Sequence, residues 1–249
     1  MQTSRRRQGG LIGQNAMAEV KFKNRLLANL EPSVVTHLSQ KMTLINLPLK
    51  TILIEANTLI DYVFFPEDCV VSVLALTDDT QPIEVGMVGF EGMSDMVIDG
   101  QADVSPLRFL VQIAGSAWRV SSADFCEAIR LHPSLAIISM KFKQVLAIQF
   151  AFTAFSHGTF SIEERLARWL LMSRDRHNRD DIPLVHEFLA AMLAVRRSGV
   201  TTAIHVLEGR GAIRARRGLI LIKDRSILEE VAGSSYGVPE SEYERLFAS

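Results

Sequence analysis

Cysteine is scarce in this chain of 249 residues, which has only Cys69 and Cys126. Neither has a Cys or His neighbour at metal-ligand spacing, so no zinc or iron–sulfur motif is present and two buried thiols in a reducing compartment are expected. A secretion signal is also missing. The opening residues, MQTSRRRQGGLIGQNAM, carry three arginines with no apolar run of signal-peptide length behind them. A cytoplasmic protein is expected, with residues 1–19 a disordered leader and Met17 a candidate start. The most apolar stretch, Leu135 to Phe155, is interrupted by Lys141, Lys143, Gln144 and Gln149, so neither a membrane span nor a membrane partner is expected. Repeats, low-complexity tracts, a nucleophile elbow, a phosphate loop and a catalytically spaced acid pair are absent as well. The chain is therefore not expected to be an enzyme or to hold a cofactor, and Asp78–Asp79 reads as a simple turn.

What remains is an ordinary globular composition, 48% apolar and 22% charged, in a chain long enough for two modest domains. Its net charge of −1 is unevenly spread. Between Arg196 and Arg225 eight basic residues face only Glu208 and Asp224, so this segment carries +6 and the rest of the chain −7. A basic module on an acidic body points to a polyanion at one end.

The spacing of apolar residues divides the chain in the same way. Short helices are predicted at Lys23–Asn29 and Pro32–Gln40. Strands follow at Thr51–Ile54, Tyr62–Phe65, Val70–Leu76, Ile83–Val88, Phe109–Ala114 and Trp118–Val120, separated by Pro, Gly, Asp and Asn as in an antiparallel sandwich or barrel. After a short helix at Ala123–Arg130 comes a long one over residues 134–158, apolar on more than one face and broken at Ser156-His157-Gly158. Such a helix needs two partners. One face is expected on the β domain and the other on a second copy, with Phe142 and Phe152 candidates for the shared face. Ser161 and Glu164 then form a capping box for a helix reaching about Arg174. RHNRDDIP reads as a polar turn, and helices follow at Leu184–Leu193 and Arg196–Glu208.

The last two helices, joined by a tight turn and followed by the hairpin AIRARRGLILI, describe a winged helix-turn-helix. Val200, Ile204 and Leu207 form the buried face of the second helix. Ser198, Thr202 and His205 lie opposite, with Thr201 at the edge. Arg196 and Arg197 oppose the macrodipole at that helix's start, an arrangement that duplex DNA would relieve. Gly199 suits a close approach to DNA or to the preceding helix. Arg214, Arg216 and Arg217 make the wing basic.

These features resemble the Crp/Fnr bacterial transcription regulators: YVFFP followed by VVSVLAL, then IEVGMVGFEGM, then HEFLAAMLAVRRSGVTTAIHVLEGRGAI. The resemblance implies an α+β fold: an N-terminal antiparallel β roll of cyclic-nucleotide-binding type (residues 20–133), a dimerisation helix (134–158), a winged helix-turn-helix (159–230) and a C-terminal tail (231–249). It also implies a homodimer on double-stranded DNA at an inverted-repeat operator, with RNA polymerase a candidate partner and Arg196, Arg197, Ser198 and Thr202 reading bases. Ala194 stands where glycine is common in the turn, so the turn is either strained or not left-handed.

In cyclic-nucleotide-binding members a Gly-Glu pair and a downstream Arg followed by Ser or Thr hold the ribose and phosphate. Here GFEGM offers Gly89, Glu91 and Gly92, with Phe90 before the glutamate. Arg108 is the candidate phosphate ligand, but Phe109 follows it where a hydroxyl is expected. The roll is therefore expected not to depend on cAMP, and Phe109, Met87 and Met93 suit a less charged ligand or a dry core. His37, His132 and His157 are isolated and carry no haem signature. The competing readings are a cyclic-nucleotide-responsive regulator and a nucleotide-binding module whose basic C-terminus meets a protein or a membrane.

Overall fold

Successive residues of a strand face opposite sides of a sheet, and in the middle strand of this protein both sides are apolar. VVSVLA therefore has to be covered twice. In the computed structural model, which describes residues 21–77, 82–94, 104–183 and 186–248, it is. The expected leader and Asp78–Asp79 lie outside the described residues.

Two short helices, α1 (Arg25–Ala28) and α2 (Pro32–Ser39), lead, among the described residues, into nine strands: β1 (Thr43–Leu47), β2 (Ile52–Ile54), β3 (Thr58–Leu59), β4 (Tyr62–Pro66), β5 (Val70–Ala75), β6 (Ile83–Val88), β7 (Val104–Ser105), β8 (Arg108–Ile113) and β9 (Gly115–Ser121). They pair antiparallel in the orders β1-β9-β4, β2-β8-β5-β6 and β3-β7. This is the expected β roll, with β3 and β7 as a two-residue pair that has no signal in the sequence. Val71, Val73, Phe109 and Val111 turn into the roll's own core. Val70, Leu74, Met87 and Ile113 turn outward into a second core, built with the C-terminal helices. The roll is thus a docking floor for the following domain.

Helix α3 (Ser122–Leu131), capped by the Ser121 side chain on the Asp124 N–H, leads to α4 (Pro133–Thr159). Helix α4 runs through Ser156-His157-Gly158 without a break. Its inner stripe, Leu135, Phe142, Val145, Leu146, Gln149 and Thr153, is buried. Buried Gln149 is satisfied by the backbone of Met87, accepting its N–H at 2.6 Å and donating to its C=O at 3.2 Å. Phe142, expected on a face shared with a second copy, is instead 2% exposed and packs toward Gly92 of the β roll. The exposed face is a different one, touched by α9 where Gln144 donates to Oε1 of Glu242 at 3.0 Å. Ile137, Met140, Gln144, Ala147, Ala151, Ala154 and Gly158 are all exposed and alternate by three and four residues, the spacing of a coiled-coil seam. Among the described residues α4 is long and apolar enough to cross a membrane, but its inner stripe is committed to the roll.

The rest is the second domain: α5 (Ile162–His177), β10 (Asp181–Pro183), α6 (His186–Met192), α7 (Arg197–Gly209), β11 (Ile213–Arg216), β12 (Leu219–Ile222), α8 (Arg225–Ala232) and α9 (Val238–Phe247). The Ser161–Glu164 capping box forms as expected. Part of the predicted turn RHNRDDIP is strand β10, which joins the wing in the order β10-β12-β11. The expected C-terminal tail is likewise a helix. Pro239 and Tyr243 of α9 are buried, and the Tyr243 hydroxyl donates to the carbonyl of Glu91, so α9 closes over that loop of the β roll.

Candidate nucleic-acid interface

The turn between α6 and α7 runs from Leu193 to Arg196. Ala194 within it is left-handed, with φ +51°, and its N–H reaches the Ala191 carbonyl at 3.2 Å. A Cβ in that region is strained by roughly 1–2 kcal/mol, which settles the alternative left open by the sequence. The strain is tolerated because the next N–H, of Val195, closes on the Ala190 carbonyl at 3.0 Å.

Val200, Ala203, Ile204 and Leu207 of α7 are buried, as their spacing requires. Gly199 packs against α5 rather than α6. A Cβ there would lie 2.9 Å from Cδ1 of Ile162, so its smallness serves the crossing of α7 over α5. The opposite face is solvent-exposed at Ser198, Thr202 and His205, with Thr201 half-buried at its edge. Thr201 and Thr202 donate their hydroxyls to the carbonyls of Arg197 and Ser198, both at 3.2 Å, which fixes their rotamers.

Arg196 is the N-cap residue and makes no side-chain cap, and the first turn of α7 has no acidic residue. The helix thus begins with free backbone N–H groups flanked by exposed Arg196 and Arg197, an anion-binding arrangement. In the wing, Arg214 and Arg216 alternate with inward Ala215, and Arg217 leads the turn whose left-handed position is Gly218, φ +76°. Arg216 is the last residue of β11. Glu208 ties wing to helix: its Oε1 accepts the Ala215 N–H at 2.8 Å and its Oε2 lies 3.6 Å from Nδ1 of His205. The nine residues expected to meet DNA therefore sit on one helix and the adjoining hairpin.

The five residues considered for an effector do not converge. Arg108 is paired through Nε with Oε1 of Glu55 at 2.7 Å, holding the Glu55 carboxyl below its ordinary range. Phe109 is fully buried in the roll and Met93 is 1% exposed there, so this interior is a dry core, while Met87, also 1% exposed, is buried in the second core against the C-terminal helices. Glu91 instead faces Arg176 of α5, Oε1 to Nε at 3.0 Å, and its Oε2 accepts the Gly89 N–H. Burial raises the Glu91 pKa and the Arg176 charge opposes this. Gly89 and Gly92 serve close packing. A Cβ on the first would lie 2.4 Å from the Arg176 carbonyl oxygen, and on the second 2.1 Å from Cζ of Phe142. His37 and His132 meet edge to face, 5.3 Å between ring centres. Cys69 is buried and Cys126 half-buried.

Arg176 is the residue the sequence reading missed. It falls seven after Trp169 and four after Met172, on the apolar face of α5, and a basic residue at that spacing has to find a buried partner.

Residues 164–231 match the family model described as a Crp-like helix-turn-helix domain. No curated protein matches the sequence significantly. Solved structures do match in fold. A transcriptional regulator of the Crp/Fnr family from Eubacterium rectale superposes with a TM-score of 0.62 at 15% identity, over 84% of this chain and 97% of its own. FixK2 from Bradyrhizobium japonicum gives 0.66 at 15%, over 77% and 98%. A transcriptional regulator of the CRP family from Thermus thermophilus gives 0.62 at 18%, over 78% and 98%.

Proposed function

From a Crp-like helix-turn-helix domain and a fold shared with Crp/Fnr regulators, we propose that the chain is a Crp/Fnr-type transcription regulator that binds an inverted-repeat operator as a cytoplasmic homodimer. The observation that carries this is the exposed face of α7 with Arg196 and Arg197 at its open N-terminus, beside a wing bearing Arg214, Arg216 and Arg217. Short hydroxyls and His205 on that face suit base edges, and the wing arginines suit phosphates. Dimerisation is supported by the seam along α4. A parallel pair of such helices would set two α7 helices about one DNA turn, ~34 Å, apart. The β roll serves here as a structural floor, since its interior is filled where a cyclic nucleotide would need charged and hydroxylated partners.

Selection from a random duplex pool followed by salt-dependent gel shifts tests the reading. Arg197→Ala should lose roughly 1–3 kcal/mol and relax preference at one base pair per half-site, whereas Arg216→Ala should weaken all sequences alike and lower the salt slope by about one. Equal losses on selected and random DNA for both variants would refute base reading by α7.

A further inference from the structure

A cavity of about 630 Å³ lies outside the β roll, between the loop at Phe90–Glu91, the inner face of α4, the C-terminal end of α5 and the segment from α8 to α9. Its size falls within the ~300–1,000 Å³ of small-molecule sites. One side belongs to the sensor, through Phe90, Glu91 and Arg25, and the other to the DNA-binding domain and its C-terminal helix, through Arg176, Tyr236 and Glu240. Anything bound there touches both domains.

The lining limits what can bind. Its charged side chains balance: Arg25, Arg174, Arg176 and Arg225 against Glu91, Asp175, Glu240 and Glu244. An ion of either sign would leave an uncompensated buried charge, while a molecule with both poles would not. Two groups are open to such a molecule. Oε1 of Glu240 is buried with no hydrogen-bond partner among the described residues, and the Arg176 Nη1 beside it, at 3.5 Å, already donates to the Met172 carbonyl at 3.1 Å. A buried carboxylate oxygen in that state calls for a donor. Arg174 engages Asp180 through Nε alone among the described residues, which leaves its terminal nitrogens for a carboxylate. Phe142, Val145 and Leu146 supply an apolar wall between the domains.

Resting on the regulator reading above, we propose that this interdomain cavity is the effector site and that its ligand is a small zwitterion with an apolar body, an α-amino acid in chemical class. The ammonium group lies on Glu240, the carboxylate on Arg174, and the side chain along α4. Binding there bridges the Glu91 loop to α5 and α9, and so biases how the recognition helices are presented.

The test is calorimetry on the full chain with L-leucine and L-phenylalanine up to about 10 mM, alongside N-acetyl-L-leucine and L-leucinamide, each lacking one pole. At least one amino acid should bind with a submillimolar dissociation constant. The single-pole analogues, and the variants Glu240→Gln and Arg174→Ala, should each bind about tenfold more weakly or worse, while Arg108→Ala in the roll should bind as the parent does. Heat from neither amino acid, or binding indifferent to both variants, or equal binding of the single-pole analogues, overturns the ligand class. A bound amino acid that leaves operator affinity unchanged overturns the effector role. Gel shifts without any amino acid test the DNA-binding reading separately, because that reading stands on α7 and the wing.

Discussion

Where β6 meets α5, a carboxylate is shut between the two domains, and replacing it should stabilise the protein in a pH-dependent way. Glu84 is 4% exposed, its Oε1 accepts the indole N–H of Trp169 at 2.8 Å, and its Oε2 has no partner among the described residues. Burial pushes its pKa from 4.5 up to about 7, against the pull of the Ser72 hydroxyl, the Trp169 indole and the charges of Arg168 and Arg176. Between those two values the folded state holds more protons than the unfolded chain. Glu84 therefore makes the protein less stable as pH rises from 4.5 to 7, and the penalty is complete above 7. Its size is about 3 kcal/mol, taking 1.36 kcal/mol for each tenfold change in proton affinity. Glu84→Gln keeps an oxygen for Trp169 and removes the charge. In a chain of this length the variant should melt about 5–10 °C above the parent at pH 8, with the gain shrinking to a degree or so near pH 4.5. Differential scanning calorimetry at the two pH values reads the difference directly. A gain of equal size at both, or a loss at pH 8, would refute the argument that desolvation of the charge dominates at this site.

Other perturbations test different parts of the molecule. Ala194→Gly should relieve the left-handed turn and stabilise the DNA-binding domain by about 1 kcal/mol, seen as a higher urea midpoint with operator affinity unchanged. Met140→Glu, on the exposed seam of α4, should give a folded monomer in light scattering, whereas Phe142→Glu should lose the sensor fold itself by circular dichroism. Gly92→Ala should cost roughly 1–3 kcal/mol by overpacking against the Phe142 ring, and a smaller side chain in the double variant Gly92→Ala/Phe142→Leu should recover part of it in a denaturant melt.

What could be read from the sequence follows from how locally each feature is determined. The Ser161–Glu164 box, the buried positions of α7 and the wing hairpin depend on residues within one or two turns of each other, and they appear where expected. Strand β10 is three residues long and exists only because β12 pairs with it, so it read as a turn. Helix α9 carried a signal that went unused: Pro239, Tyr243, Leu246 and Phe247 fall at i, i+4, i+7 and i+8. The partners of the two candidate effector ligands were hidden for another reason. Glu91 finds Arg176 and Arg108 finds Glu55, partners 85 and 53 positions away, and neither motif spacing nor charge pattern encodes such a choice. The division of α4 into an inner and an outer face was similarly hidden, because both faces are apolar and only the packing of Phe142 against Gly92 tells them apart.

The contact between α1 and α9 bears on the order of biosynthesis. Arg25 grips Glu244 through both terminal nitrogens, at 2.9 and 3.3 Å, and stacks over the Tyr243 ring across 219 positions of sequence. A ribosome adding about 5–20 residues per second delivers the β roll well before α9, and domains made first fold first. The β roll must therefore stand with its Glu91 loop and α1 uncovered by α9 until that helix has been made, held to the second domain meanwhile by the core shared with α5. A nascent chain that has not yet delivered Tyr243 carries a complete recognition helix beside a β roll that α9 has not yet covered.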